Sequence, residues 1–143
     1  MTTPGRSNFL SAVDLSWLTG RRLQVVDKQD YSWFFEFDDK GSVTTESNWR
    51  LLDKRVVVTS DDHGHKFGLP APVDAAALIR QKVGDNPVDY VHLDDRTGDL
   101  SISFSNGVML QFLTTSGGYE GWRIGHPIRH PGQLVICLAL QRI

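Results

Sequence analysis

The stretch Leu100-Ser101-Ile102-Ser103-Phe104-Ser105-Asn106-Gly107-Val108-Met109-Leu110-Gln111-Phe112 decides the fold. Leu100, Ile102 and Phe104 alternate with polar residues, the period of two that sets one row of side chains on one face of a β-strand. Asn106-Gly107 follows, a dipeptide that tolerates the left-handed backbone of a tight hairpin turn, so the chain folds back antiparallel to itself. An earlier stretch repeats the arrangement. Tyr31, Trp33, Phe35 and Phe37 fall on one face of a strand, and Asp39-Lys40-Gly41 supplies a looser turn in the equivalent place. The expected core is therefore Trp33, Phe35, Phe37, Trp49, Leu100, Ile102, Phe104, Leu110, Phe112 and Trp122, with Ser101 and Ser103 on the more exposed face.

Working outward from these hairpins, other features recur in the same order. Val13-Asp14 matches Val73-Asp74, Leu23-Gln24-Val25-Val26 matches Val88-Asp89-Tyr90-Val91, and Trp49-Arg50-Leu51 matches Trp122-Arg123-Ile124. A helix should precede the strands in each copy. Asp74 is a candidate N-cap, Ala75 to Lys82 are mostly helix formers, and Gly84 can take the backbone conformation that stops a helix. The first copy has a shorter version, Asp14 to Leu18, ended by Gly20. Each copy then reads as one helix followed by four strands, and short turns make consecutive strands antiparallel. The expectation is an α+β fold: two pseudo-symmetric helix-plus-antiparallel-meander units packed as one domain with about eight strands. Residues 1–11 read as a flexible N-terminus and residues 12–143 as a single domain built of two repeats, about 12–68 and 72–143.

The chain has 143 residues, the usual size of one domain with one core. Fifteen Lys and Arg against seventeen Asp and Glu give a net charge of −2, so no nucleic-acid partner and no anionic membrane surface is expected. Met1 to Arg6 carries no charged region followed by an apolar stretch, so no signal peptide is expected. The longest apolar run, Leu134 to Leu140, is too short to span a bilayer. A single cysteine excludes an intrachain disulfide and fits a reducing, cytoplasmic compartment.

Few residues point to chemistry. Asp61, Asp62, His63 and His65 concentrate carboxylates and imidazoles near a strand end, a donor set suited to a divalent metal and hence to a metal-assisted hydrolase. The competing reading is that the aspartates accept backbone bonds in a turn while the histidines face solvent. His126 and His130 are each followed by proline, which signals an extended, exposed connection more simply than a metal site. Cys137 lies in the apolar run Leu134 to Leu140, where a buried, inert thiol is expected. No phosphate-binding glycine loop occurs, and Ser116 followed by two glycines reads as a loop rather than as a nucleophile. No cofactor is expected, a divalent metal at residues 61–65 being the one alternative.

The repeated Trp-Arg pair is the most individual feature. Adjacent strand residues point to opposite faces, so burial of Trp49 and Trp122 presents Arg50 and Arg123 outward. The functional reading gathers Tyr119, Glu120, Trp122, Arg123, Trp49 and Arg50 along one edge as a binding surface of interface-anchoring types. The structural reading keeps the tryptophans in the core with their arginines in salt bridges. Five aspartates against one arginine between Asp85 and Asp99 add an acidic patch that could meet a basic partner.

The string Thr114-Thr115-Ser116-Gly117-Gly118-Tyr119-Glu120-Gly121-Trp122-Arg123-Ile124, preceded by Gly98-Asp99-Leu100, resembles a family of small uncharacterised bacterial proteins with an internal repeat and a Ser-Gly-Tyr-Glu-x-Trp segment after a β-hairpin. The resemblance covers residues 12–124, and Gly117 stands where serine is expected. It implies a cytoplasmic single-domain protein without an established enzymatic activity, of a kind that can occur as immunity or accessory proteins beside secreted toxins. The leading expectation is accordingly a non-enzymatic binding protein, an immunity protein that binds and occludes a bacterial toxin. The alternatives are the metal-assisted hydrolase using the Asp61-His65 segment and a small-ligand-binding protein with its cavity between the repeats. A protein partner is expected, and a homodimer is compatible with the sequence.

Overall fold

The structure, a computed structural model, describes residues 14–115, 120–126 and 130–138. It contains ten strands: β1 (Leu23–Gln29), β2 (Ser32–Phe37), β3 (Ser42–Thr45), β4 (Trp49–Asp53), β5 (Arg55–Thr59), β6 (Val88–Leu93), β7 (Leu100–Phe104), β8 (Met109–Phe112), β9 (Glu120–His126) and β10 (His130–Leu138). One α-helix, α1 (Ala75–Val83), lies between β5 and β6, and short 3-10 turns cover Ser16–Leu18 and Ser60–Asp62. Alternation sets the inner faces. In β2, Trp33, Phe35 and Phe37 are buried between half-buried Ser32, Phe34 and Glu36. In β7 and β8, Leu100, Ile102, Phe104, Leu110 and Phe112 are buried in the same way.

The strands form two five-stranded antiparallel sheets, ordered β1-β2-β3-β9-β10 and β5-β4-β8-β7-β6. Their inner faces meet through aromatic rings. Phe35 of the first sheet packs edge-to-face on Phe112 of the second at 4.9 Å and on Trp49 at 5.7 Å, while Trp33 packs edge-to-face on Trp49 at 4.9 Å. Edge-to-face packing sets the positive rim of one ring against the negative face of the next, adding to the burial that joins the sheets. All ten expected core residues are buried. Ser101, placed by alternation on the exposed face, is only 8% exposed, because Gln111 covers it with a hydrogen bond from its amide Nε2 to Ser101 Oγ at 3.3 Å.

The expected α+β fold, two pseudo-symmetric helix-plus-antiparallel-meander units packed as one domain, is overturned. The protein is mostly β, and α1 is its only α-helix among the described residues. The first expected helix is a three-residue 3-10 turn, Ser16–Leu18. Too few residues separate Asp14 from Gly20 for a helix to repay its nucleation. The second expected helix is present: Asp74 Oδ1 accepts from the Ala77 amide at 3.1 Å, and Gly84 ends the element with a positive φ of 56°. Neither half closes a meander of its own. After β3 the chain crosses to the second sheet, where β4 pairs with β8, and after β8 it crosses back, where β9 pairs with β3. Each sheet thus gains two strands from the other half, and both apolar faces are covered at once.

What the two halves share is hairpin geometry. The β1–β2 ladder shifts register between Leu23 and Val25, and the β6–β7 ladder shifts between Val88 and Tyr90. At the turns, Phe37 donates its amide to Gly41 O and Phe104 to Val108 O, both at 2.8 Å. The sheet edges differ. α1 packs against β1 and β5, and Arg80 Nη1 donates to the Val26 carbonyl of β1 at 3.1 Å. The outer side of β6 is approached by the Ser16–Leu18 turn.

Candidate functional site

The loops that carry most of the sequence-selected residues gather at one end of the sandwich. The crossings β3–β4 and β8–β9 touch there. Thr45 Oγ1 donates to the Gly121 carbonyl at 2.6 Å, Ser47 Oγ to the Leu113 carbonyl at 3.0 Å, and Leu113 donates its amide to Asn48 O at 2.9 Å. The loop after β5 joins them through Ser60 Oγ, which accepts from the Trp49 amide at 3.2 Å. The β6–β7 loop arrives from the other side, its Gly98 carbonyl accepting from Trp122 Nε1 at 2.8 Å.

Trp49 and Trp122 are fully buried, so neither presents its ring to a partner. Their arginines do not meet at one edge. Arg50 lies on the outer face of the second sheet, where its Nε donates to Gln111 Oε1 at 2.6 Å. Arg123 is exposed on the outer face of the first sheet, so the sandwich separates them. Tyr119, the Glu120 side chain, Ser116 and the side chains of His130 and Cys137 lie outside the described residues.

Arg123 sits in a groove of about 110 Å³ lined by Ser32, Phe34, Thr44, Thr45, Glu46 and Gly121. The ladder explains the company: Phe34, Thr44 and Arg123 are register partners across β2, β3 and β9, so all three project from the same face. Glu46 stands at the rim, accepting from Ser32 Oγ at 3.4 Å. Tyr31, at the tip of the adjoining β1–β2 turn, is 85% exposed. Alternation set Tyr31 on the strand face of Trp33, Phe35 and Phe37, though not in the expected core. The signal against that was Asp30 before it, a residue type that tolerates the positive φ of 55° by which the chain leaves β1.

The Asp61-to-His65 segment is built as structure. Asp62 Oδ2 accepts from the Thr59 amide at 2.9 Å, closing a capping box, and His63 Nδ1 accepts from the Ala75 amide at the start of α1 at 3.1 Å. The His63 ring packs edge-to-face on Trp33 at 5.1 Å. Asp61 and His65 face solvent. Among the described residues, no three of His, Cys, Asp and Glu come together as a metal-binding group. The Gly64 amide donates to Val73 O at 2.9 Å and the Val73 amide to His65 O at 2.8 Å, and in the loop they close Phe67 is 66% exposed.

His126, expected in an exposed connection, is buried. Its Nε2 lies 3.3 Å from Asp39 Oδ2 at the β2–β3 turn, and Trp17 packs edge-to-face on its ring at 5.5 Å. Arg21 Nε approaches the same carboxylate oxygen at 3.5 Å. Gly41 leaves room for this cluster: a Cβ there would come within 2.5 Å of Trp17 Cζ3. The pairing crosses from a turn to a distant strand, which no local pattern reveals.

In the acidic segment, the Arg96 and Thr97 amides donate to Asp94 Oδ1 at 2.9 and 3.2 Å and hold its carboxyl below the ordinary aspartate value. Asp99 Oδ1 accepts from the Thr114 amide at 2.8 Å. Two of the five aspartates therefore shape loops. Among the described residues, no helix is long and apolar enough to cross a membrane. Comparison with family models, with characterised proteins and with solved structures finds no match to this chain.

Proposed function

We propose that this chain is a non-enzymatic binding protein that acts in the cytoplasm, of the immunity kind that occludes a toxin, and that Arg123 and Tyr31 anchor the contact. The observation that supports the reading is the groove of about 110 Å³ in which Arg123 lies with Glu46, Ser32 and Phe34, beside a tyrosine 85% exposed. Arginine and tyrosine are the types most enriched among residues that dominate protein interfaces, because each offers a large contact area together with hydrogen bonds. A guanidinium on a rigid ladder, with a carboxylate at the rim, suits a partner surface of mixed charge. Asp62 Oδ2 and His63 Nδ1 are already engaged in the capping box and at the helix start, which favours binding over metal-assisted hydrolysis at that segment.

The test is calorimetric titration with the purified product of a toxin gene neighbouring this one. Arg123→Ala and Tyr31→Ala should each weaken binding by about 2 kcal/mol, roughly thirtyfold, with circular dichroism unchanged. Replacing His63 and His65 together should leave the affinity alone. Binding that survives both single substitutions within about twofold would remove Arg123 and Tyr31 from the interface.

A further inference from the structure

The two equivalent edge strands, β1 and β6, are treated differently. β1 is overlaid by the nine-residue α1, whose Arg80 caps the Val26 carbonyl. β6 is approached by the Ser16–Leu18 turn, and among the described residues its outer edge is bonded at one residue: Val88 donates to Arg21 O and accepts from the Gly20 amide, both at 2.8 Å. Beyond that residue the ladder fixes which backbone groups face outward. The Asp94 amide donates inward to Asp99 O at 2.9 Å. Antiparallel pairs alternate between bonded and non-bonded, so His92 opposite Ser101 bonds inward and the amide and carbonyl of Leu93 and Val91 face out. Between this edge and the 3-10 turn runs a groove of about 310 Å³, lined by Asp14, Leu15, Ser16, Thr19, Asp89, Tyr90, Val91 and Leu93. Its walls combine the outward backbone groups of Val91 and Leu93, an apolar base at Leu15, a tyrosine 57% exposed, and the carboxylate of exposed Asp89. The arginines near its Val88 end point elsewhere: Arg21 to Asp39, and Arg22 Nε to the Asp85 carbonyl at 3.0 Å.

We propose that the outer edge of β6 docks an extended, lysine- or arginine-bearing segment of a protein partner, which pairs with Val91 and Leu93 as an added strand and sets its cations against Asp89 and the face of Tyr90. Strand addition supplies main-chain hydrogen bonds without regard to sequence, and specificity comes from alternate side chains. The aspartate favours a cation at those alternate positions, and the Tyr90 ring, stacked on His92 at 6.2 Å and 57% exposed, adds attraction for the same group. This inference rests on the reading of the chain as a binding protein, but it uses a different surface from Arg123, and its test uses a probe of defined chemistry.

The experiment is amide-resolved NMR of the full chain titrated with a short peptide alternating lysine with threonine or valine, and with the same peptide carrying glutamate in place of lysine. The lysine peptide should shift the Val91 and Leu93 amides and slow their hydrogen exchange, and the glutamate peptide should do neither. Asp89→Lys should weaken the lysine peptide by about tenfold or more, as expected for reversal of a charge facing a cation. Val91→Pro, which removes the outward donor, should abolish protection at Leu93, and Arg123→Ala should change nothing. Equal binding of both peptides, or unchanged affinity in Asp89→Lys, overturns the proposal. So does a free chain whose Val91 and Leu93 amides are already protected, since its own residues 1–13 or a second copy then cover the edge. Loss of toxin binding in Arg123→Ala alone would leave this result untouched.

Discussion

Trp49 is the first residue of β4 and Trp122 the third of β9; each is followed by an arginine on the outer face of its sheet, and both rings are fully buried. Their indole nitrogens fare differently. Trp122 Nε1 donates to the Gly98 carbonyl at 2.8 Å, whereas Trp49 Nε1 is buried with no hydrogen-bond partner among the described residues. The acceptor for Trp122 comes from the long β6–β7 loop, Asp94 to Asp99, while the corresponding β1–β2 turn contains only Asp30 and Tyr31. The space beside the first tryptophan is taken instead by the Trp33 ring, itself backed by His63. Loop length, not the strand that bears the indole, decides whether a buried donor is satisfied.

The strongest challenge to this comparison is at the shared hairpin geometry. Phe37→Ala and Phe104→Ala should each cost about 3–5 kcal/mol in urea unfolding, because each deletes a fully enclosed ring from the same point of its turn. A cost below about 1 kcal/mol for either would mean that the two hairpins are not built alike. Next in size is the contrast itself. Trp122→Phe should destabilise by about 1 kcal/mol more than Trp49→Phe, since only the first loses a hydrogen bond and the second removes an unpaired buried donor. Equal costs would show that Trp49 Nε1 is satisfied in solution. The smallest effect concerns the loop that supplies Gly98. Because the Arg96 and Thr97 amides hold the Asp94 carboxyl below the ordinary aspartate value, its contribution is fully present above the unfolded value and lost as pH falls through the lowered folded one. Carboxyl titration by NMR should place Asp94 below an ordinary aspartate, and Asp94→Asn should remove the corresponding acid-side change in stability.

Local chemistry was legible wherever it sufficed. Asn106-Gly107 set the β7–β8 turn, with Gly107 at a φ of 89°, and Asp74 and Gly84 bracketed α1. Alternation picked out the ten core residues. What alternation could not show is where a strand goes once its face is chosen. The crossings after β3 and β8 depend on covering two apolar faces at once, a property of the whole chain. The same limit explains the site. Arg123 was readable as outward, but its neighbours Phe34 and Thr44 come from strands far away in sequence, and the Asp39–His126 contact joins a turn to a strand from the other half.

The exchange of strands between sheets has a kinetic side. β3 has one neighbour from its own half, and its other side is paired only by β9, so the first sheet cannot be finished until residues 120–126 have been made. Neither half is a foldable intermediate with both edges in place, and the closing contacts span most of the chain. Such non-local closure pays its loop entropy before the reward arrives, which makes folding slow and leaves the unpaired edge of β3 open to wrong partners in the meantime. The Gly121 carbonyl bonded by Thr45 Oγ1 marks where that wait ends.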